Sequence, residues 1–452
     1  MENRDHRGLP MSCGHAGSVE RFERAVTLLQ GYYADPLAAI DEALADDPEL
    51  LMGHAFRAGL FLISTEKRAV PELARSVSAA EALIERGQGT ARERAHVGAA
   101  RAWLNGDFEQ SIARYHRIVV DYPRDVLALQ LGHLGNFYLG RSAWLRDHVA
   151  AALPHYSPSD SCYGYVLGML AFGLEECNEF TRAEAAAERA LTHQPRDPWA
   201  IHALAHCAEM QGRAAEGIRL YQTRERDWSE GNLFAVHNWW HVALFHLDSS
   251  DFSLALSVYD EHVRKGRSEV MLELVDASAF LWRLGLCGVD VGERWQELAD
   301  TYRRVEEEGY YAFNDFHAVM AYVGAGRSAD VARVLAGLEQ SAKAKGTNAL
   351  MAREVALPAS RAFESFAGGD HGAAVSGLFD LRLGAQRFGG SNAQRDILEW
   401  TLLEAALRMG DAGLARSLSE ARVARKPTSA RERRTLTGEG SRSRTSGWHT
   451  AA

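Results

Sequence analysis

What this chain lacks narrows its class before any motif is read. Its five cysteines, Cys13, Cys162, Cys177, Cys207 and Cys287, are scattered, and none forms a C-x-x-C pair. An odd count without framework spacing excludes a disulfide scaffold and fits a reducing compartment. No apolar run approaches the ~20 residues needed to cross a bilayer, so no membrane span is expected. Residues 1–17 (MENRDHRGLPMSCGHAG) lack the apolar stretch of a secretory leader, and a cytoplasmic location is expected. A net charge of −10 argues against nucleic acid as the general partner. Strand signals are nearly absent, and so are a Walker A string and a G-x-S-x-G elbow.

The charge is uneven. From Arg422 to Ala452 there are eight Arg or Lys against two Glu, a local balance of +6 that leaves the body near −16. This segment is rich in Ser, Thr, Gly and Arg and poor in apolar residues. It reads as a disordered basic tail over 425–452. Residues 1–17 read as a flexible N-terminus. The folded domain is expected over 18–424.

What is present is helical punctuation. Ala, Leu, Glu and Arg dominate, with apolar positions at helical spacing, as at Phe180, Ala183, Ala187 and Leu191. Gly106, Gly140, Asn178, Gly212, Ser250, Gly288, Gly326, Gly369 and Gly410 mark breaks 34 to 43 residues apart. Pro123 and Pro195 close second helices. This period predicts an all-α fold, a right-handed α-solenoid of tetratricopeptide-like helix–turn–helix repeats. First helices are expected over 126–139, 160–177, 198–211, 233–247, 272–286, 312–325 and 392–409, lining the concave face.

Four strings exceed any general repeat consensus. They are HALAHCAEMQGRAAEGI at 202–218, HNWWHVALFHLD at 237–248, FNDFHAVMAYVGAGR at 313–327 and GGSNAQRDILEWTLLEAAL at 389–407. Together they resemble the tetratricopeptide repeat protein 38 family over roughly residues 20–420. The resemblance implies the helical-repeat fold and marks these strings as distinctive, but names no activity. Family members are expected to carry His where Asn392 stands.

The chemistry concentrates in the same strings. His202 and His206, and His237 and His241, are two i,i+4 doublets, each placing two imidazoles on one helix face. Glu209 follows one turn after His206. The predicted groove adds Asp315, His317, Gln394, Arg395 and Asp396. Four imidazoles and a carboxylate are suitable ligands for a divalent metal such as Zn²⁺ or Fe²⁺, with His202, His206, His237 and His241 as the ligands. The H-E-x-x-H string, which adds a general base, is absent. A metal-free reading gives His202, His206, Glu209, His237, His241, Asp315 and His317 to acid–base catalysis. Trp240, Gln394, Arg395 and Asp396 would then bind the ligand, with Arg395 suited to an anion. The bland alternative is that the histidines hold neighbouring repeats in register. Trp240 is expected near the histidine face and Trp239 buried between helices. Two functions stay open: a repeat protein binding a protein, peptide or small molecule in a His/Trp-rich concave pocket, or an enzyme using the histidine cluster.

Overall fold

The computed structural model describes residues 3–14, 17–305 and 308–438. Among them every regular element is a helix, interrupted by two isolated bridges, Arg4–Pro10 and Tyr33–Asn232. Consecutive helices pack on each other as hairpins, the tetratricopeptide-like repeat architecture. The punctuation has a local physical cause. All nine break residues lie at positive φ, between +61° and +84°. One residue later Asp107, Asp251, Asp370 and Asp411 accept from the backbone N–H of Gln110, Leu254, Ala373 and Leu414. A left-handed residue therefore ends one helix, and an aspartate caps the next. The recurring Gly-Asp pair is a stop followed by a start.

The expected first helices are found at Val126–Tyr138, Tyr163–Glu176, Pro198–Met210, Ala235–Asp248, Met271–Leu286, Ala312–Gly324 and Asn392–Met409. They are covered on more than one side. Every residue of Met271–Leu286 from Leu274 onward is buried, whereas Phe108–Asp121 and Arg294–Val305 each bury a stripe. Polar residues on first helices are consequently buried among neighbours, and each needs a partner there.

The chain divides into two compact units. One comprises Met1–Leu204 with Arg226–Ala235, the other Ala205–Glu225 with Val236–Ala452. In the first unit Phe22 meets Phe56 edge-on and Trp103 stacks on Phe108. The expected flexible N-terminus is docked over its described residues. Buried Asp5 accepts from Arg92 at 3.0 Å, Arg7 pairs with Glu23 at 2.7 Å, and Ser12 donates to Glu93. Three ion-paired or hydrogen-bonded anchors replace the apolar contacts that the sequence of this segment lacks.

In the second unit the last first helix returns to a middle one. Trp282 Nε1 donates to Thr401 Oγ1 at 3.0 Å, and Arg283 donates to the Ala393 carbonyl at 2.7 Å. The expected disordered tail is corrected over its described part. A helix runs from Ala412 to Arg425 and another from Ala430 to Thr437. Buried Arg422 binds Asp396 and Glu432, Arg431 lies 3.7 Å from the centre of the Trp400 ring, and Ser429 donates to Asp248. Charge pairing, not apolar burial, docks this segment, so low hydrophobicity was the wrong signal. The part of the tail call at 439–452 lies outside the described residues. Among the described residues no helix is long and apolar enough to cross a membrane.

Candidate functional site

The i,i+4 spacing of His237 and His241 sets both on the face of Ala235–Asp248 that meets the neighbouring first helices. In the second unit this face brings three imidazoles together. His241 lies 4.6 Å from His206 and 4.9 Å from His237 between ring centres. Ligand atoms of the three rings all lie within 4.8 Å of one another. All three side chains are buried.

Two of these rings are backed by carboxylates. His237 Nδ1 is 2.7 Å from Asp276 Oδ2, and His241 Nδ1 is 2.8 Å from Glu209 Oε2. A carboxylate accepts at these distances, so Nδ1 of each ring carries a proton and Nε2 lies on the side of the ring away from the acid. Burial, then the neighbouring imidazoles and Arg283, holds His241 well below the ordinary histidine range. Neutral imidazole is the form that ligates a metal.

Trp240 forms one wall. It is fully buried, stacks on His237 with ring centres 5.3 Å apart, and lies under the Arg283 guanidinium at 5.5 Å. Trp239, expected to be buried, is instead half-buried and stacks on His262 at 3.7 Å. One helical step of 100° separates the two indoles, and the histidine face takes the second.

Glu209 also lines a small cavity that opens to solvent. Its charged lining comprises Arg283, Lys426 and Arg431 against Glu209, Asp248 and Asp396. Burial pulls Arg283 down to about 10. Burial would raise Asp396, but Arg422 and Lys426 outweigh it and hold the carboxyl well below its usual range.

The other sequence-predicted residues have contacts of their own. His202 sits one turn before His206 on Pro198–Met210 and packs within the first unit against Trp199, Phe172 and Phe234, at 5.0, 5.3 and 5.0 Å. Asp315 accepts from the Gly309 N–H, and His317 Nδ1 donates to its own helix at the Phe313 carbonyl. Burial lowers His317 to about 3. Gln394 completes a capping box with Ser391. Arg395, expected to hold an anion, donates to the carbonyls of Gly389 and Gly390 and to Asn392. Asp315, His317 and Arg395 therefore do not line the cavity shared by Glu209 and Asp396. The glycine pair leaves carbonyls exposed at a helix start, and the nearest guanidinium satisfies them.

Asp276 and Arg283 were missed by sequence reading. The available signal was one acid and one base inside the largely apolar run from Leu274 to Leu286. Asp276 also stands 39 residues after its partner His237, one repeat further on. Lys426 and Arg431 were missed because they fell in the presumed tail.

No family model matches the chain. Solved structures similar to it include the APC/C hetero-tetramer Cut9–Hcn1, at 13% identity over 93% of this chain and 75% of that one, TM-score 0.42. Human IFIT1, in a dimer with PPP-AAAA, matches at 11% identity over 97% of each chain, TM-score 0.40. Yeast Tom70 matches at 12% identity over 94% of this chain and 95% of that one, TM-score 0.34.

Proposed function

We propose that this helical-repeat protein binds a divalent transition metal on its histidine cluster and a small anion in the adjoining cavity. His206, His237 and His241 are the proposed ligands. His202 is proposed as a fourth, since the doublet spacing sets it on the same face of one continuous helix. The observation that carries this reading is the pair of carboxylates behind two of the rings, Asp276 behind His237 and Glu209 behind His241. Carboxylates behind metal-ligating histidines fix the tautomer and raise ligand basicity. Bonds of ~2.0–2.1 Å at tetrahedral angles need donors about 3.3 Å apart, a small adjustment within the 4.8 Å grouping. Zn²⁺ and Fe²⁺ both suit imidazole donors.

The charge balance supports an anionic ligand. The cavity lining carries as many carboxylates as cations, so a bound divalent ion would leave it positive. Burial argues against an open peptide groove here, because His206 and His241 are 0% exposed and His237 6%. The alternative is a metal-dependent enzyme with acid–base chemistry. It is favoured by Glu209, which touches both His241 and the cavity and so stands where a proton acceptor would be needed. The four distinctive strings support membership of the tetratricopeptide repeat protein 38 family, and five free thiols support a reducing, cytoplasmic setting.

The test is elemental mass spectrometry of the purified, untagged chain beside His237→Ala/His241→Ala. Stoichiometric Zn or Fe lost in the double variant is expected. Asp276→Asn should keep the fold and lower metal affinity about 10- to 100-fold. Failure to take up Zn²⁺ or Fe²⁺ on reconstitution would end the metal reading and, with it, the metal-dependent enzyme.

A further inference from the structure

The first unit holds a second cavity, largely apolar in its lining and made of residues that the histidine cluster does not use. Its walls include Gln30, Tyr32, His133, Tyr165, Asp197 and Trp199. Asp197 is fully buried, and its carboxyl is divided between two tasks. Oδ1 accepts from the Trp199 N–H at 3.0 Å at the start of Pro198–Met210. Oδ2 has no hydrogen-bond partner among the described residues. It packs where a side chain on residue 168 would stand, 2.4 Å from the position of a Cβ on Gly168.

Two donors on the same walls are also unmatched among the described residues, the Nε1–H of Trp199 and the Nε2 amide of Gln30. Among the described residues the Asp197 carboxyl is paired with no Lys, Arg or His. Burial pushes it up to about 7 against the pull of the Trp199 and Ala200 N–H groups. Burial also lowers His133 to about 3, so the imidazole is neutral and brings no counter-charge. The apolar walls are aromatic. Tyr32 stacks on Trp199 with ring centres 5.7 Å apart, and Phe234 packs against both, at 5.3 and 5.1 Å.

A buried water would satisfy the two donors and Oδ2, but it would leave the carboxylate charge uncompensated. An organic ammonium supplies the charge, and aromatic faces attract it further. The idle donors require an acceptor on the same molecule. We propose that this cavity is a binding site for a small primary amine that also carries an oxygen acceptor, an amino alcohol or an amino-carbonyl compound. Its ammonium pairs with Asp197 against Tyr32 and Trp199, and its oxygen accepts from Trp199 and Gln30. The site stands apart from the metal reading and shares no residue with it.

Ethanolamine is the probe, titrated calorimetrically into the full chain at pH 8 after EDTA treatment. EDTA removes any metal, so the outcome does not depend on the histidine cluster. Saturable one-to-one binding is expected. Propylamine lacks the acceptor and ethylene glycol lacks the charge, so both should bind at least about tenfold more weakly. Asp197→Asn keeps a helix cap and removes the charge, and should weaken ethanolamine at least about tenfold with unchanged circular dichroism. Trp199→Phe keeps the ring, removes the donor and should weaken it about threefold or more. No saturation below about 10 mM, or equal binding by Asp197→Asn, overturns the proposal and leaves the cavity to water.

Discussion

Replacing Asp197 by Asn should stabilise the protein at pH 8 and weaken it by about 1–3 kcal/mol at pH 4, where the wild-type carboxyl is neutral. Asp197 is buried without a counter-charge, and burial moves its carboxyl from an ordinary 3.8 to about 7. The direction of the effect follows from which form folding disfavours. Below the unfolded value both states carry the proton, and the group costs nothing. Between about 4 and 7 the unfolded chain ionises while the folded one resists, so stability falls as pH rises. Above about 7 the cost is complete. Each pH unit of displacement is worth about 1.4 kcal/mol, which bounds the cost near 4 kcal/mol. Asparagine removes it and can still cap the helix, since Asn and Asp rank together as caps. Its amide nitrogen would lie where Oδ2 packs against Gly168, and an unmatched donor there costs about 1–3 kcal/mol. The net gain expected is about 1–3 kcal/mol at pH 8. Urea unfolding of both proteins at pH 4, 6 and 8 measures it. A difference that does not grow with pH, or a wild type more stable at pH 8, would refute the reasoning that an uncompensated carboxylate sits in this wall.

The C-terminal segment and the repeat breaks give further tests. A chain ending at Lys426 loses Glu432 from beside buried Arg422, and breaking such a pair should cost about 3 kcal/mol, read as a lower urea midpoint. An unchanged midpoint would mean that the 430–437 helix is not docked in solution. Burial would raise Glu432, but Arg422 and Arg431 outweigh it and hold it at about 2. Its contribution is complete above about 4.5 and disappears as pH falls towards 2, so the truncation penalty should vanish in acid titrations. Ser250 holds φ +63° without being glycine. Ser250→Gly should therefore raise stability by about 0.5–1 kcal/mol in thermal melts, and a loss would argue against strain at that break.

The fold was legible because its punctuation is local. A left-handed residue and the aspartate after it act within five residues of chain, so Gly106-Asp107 and Gly410-Asp411 announce their turns without tertiary information. Asn178 and Ser250 were legible only by period, since their side chains do not require positive φ. The termini were misread for the opposite reason. Arg92 holds Asp5 across 87 positions, and Arg431 meets Asp248 across 183. Composition cannot register partners so distant. In the site, spacing sufficed for His237 and His241 because both stand on one helix. It failed for Arg395, whose guanidinium was claimed by carbonyls at its own helix start. Only the folded chain reveals that local competition.

The repeat itself explains how a polar site is assembled in an apolar stack. His202, His237, Asp276 and Asp315 follow one another at 35, 39 and 39 residues, and each stands on a first helix. A repeat period carries equivalent positions onto adjacent helices, so a polar residue in one repeat meets its counterpart in the next. His237 and Asp276 realise that contact at 2.7 Å. The next step of the column does not. Asp315 turns to the Gly309 N–H, and its carboxylate is spent on the loop before its own helix. Glu209 and His241 use a different offset, 32 residues, because they join the end of one helix to the middle of the next. The network therefore spans few repeats and ends where a loop captures the next acid. Moving a histidine by one position would break it, because a helical step of 100° turns the ring off the shared face. Shifting the doublet to positions 238 and 242 in place of 237 and 241 should thus preserve the helical spectrum and abolish metal uptake. Retained uptake would mean that the ion is held elsewhere.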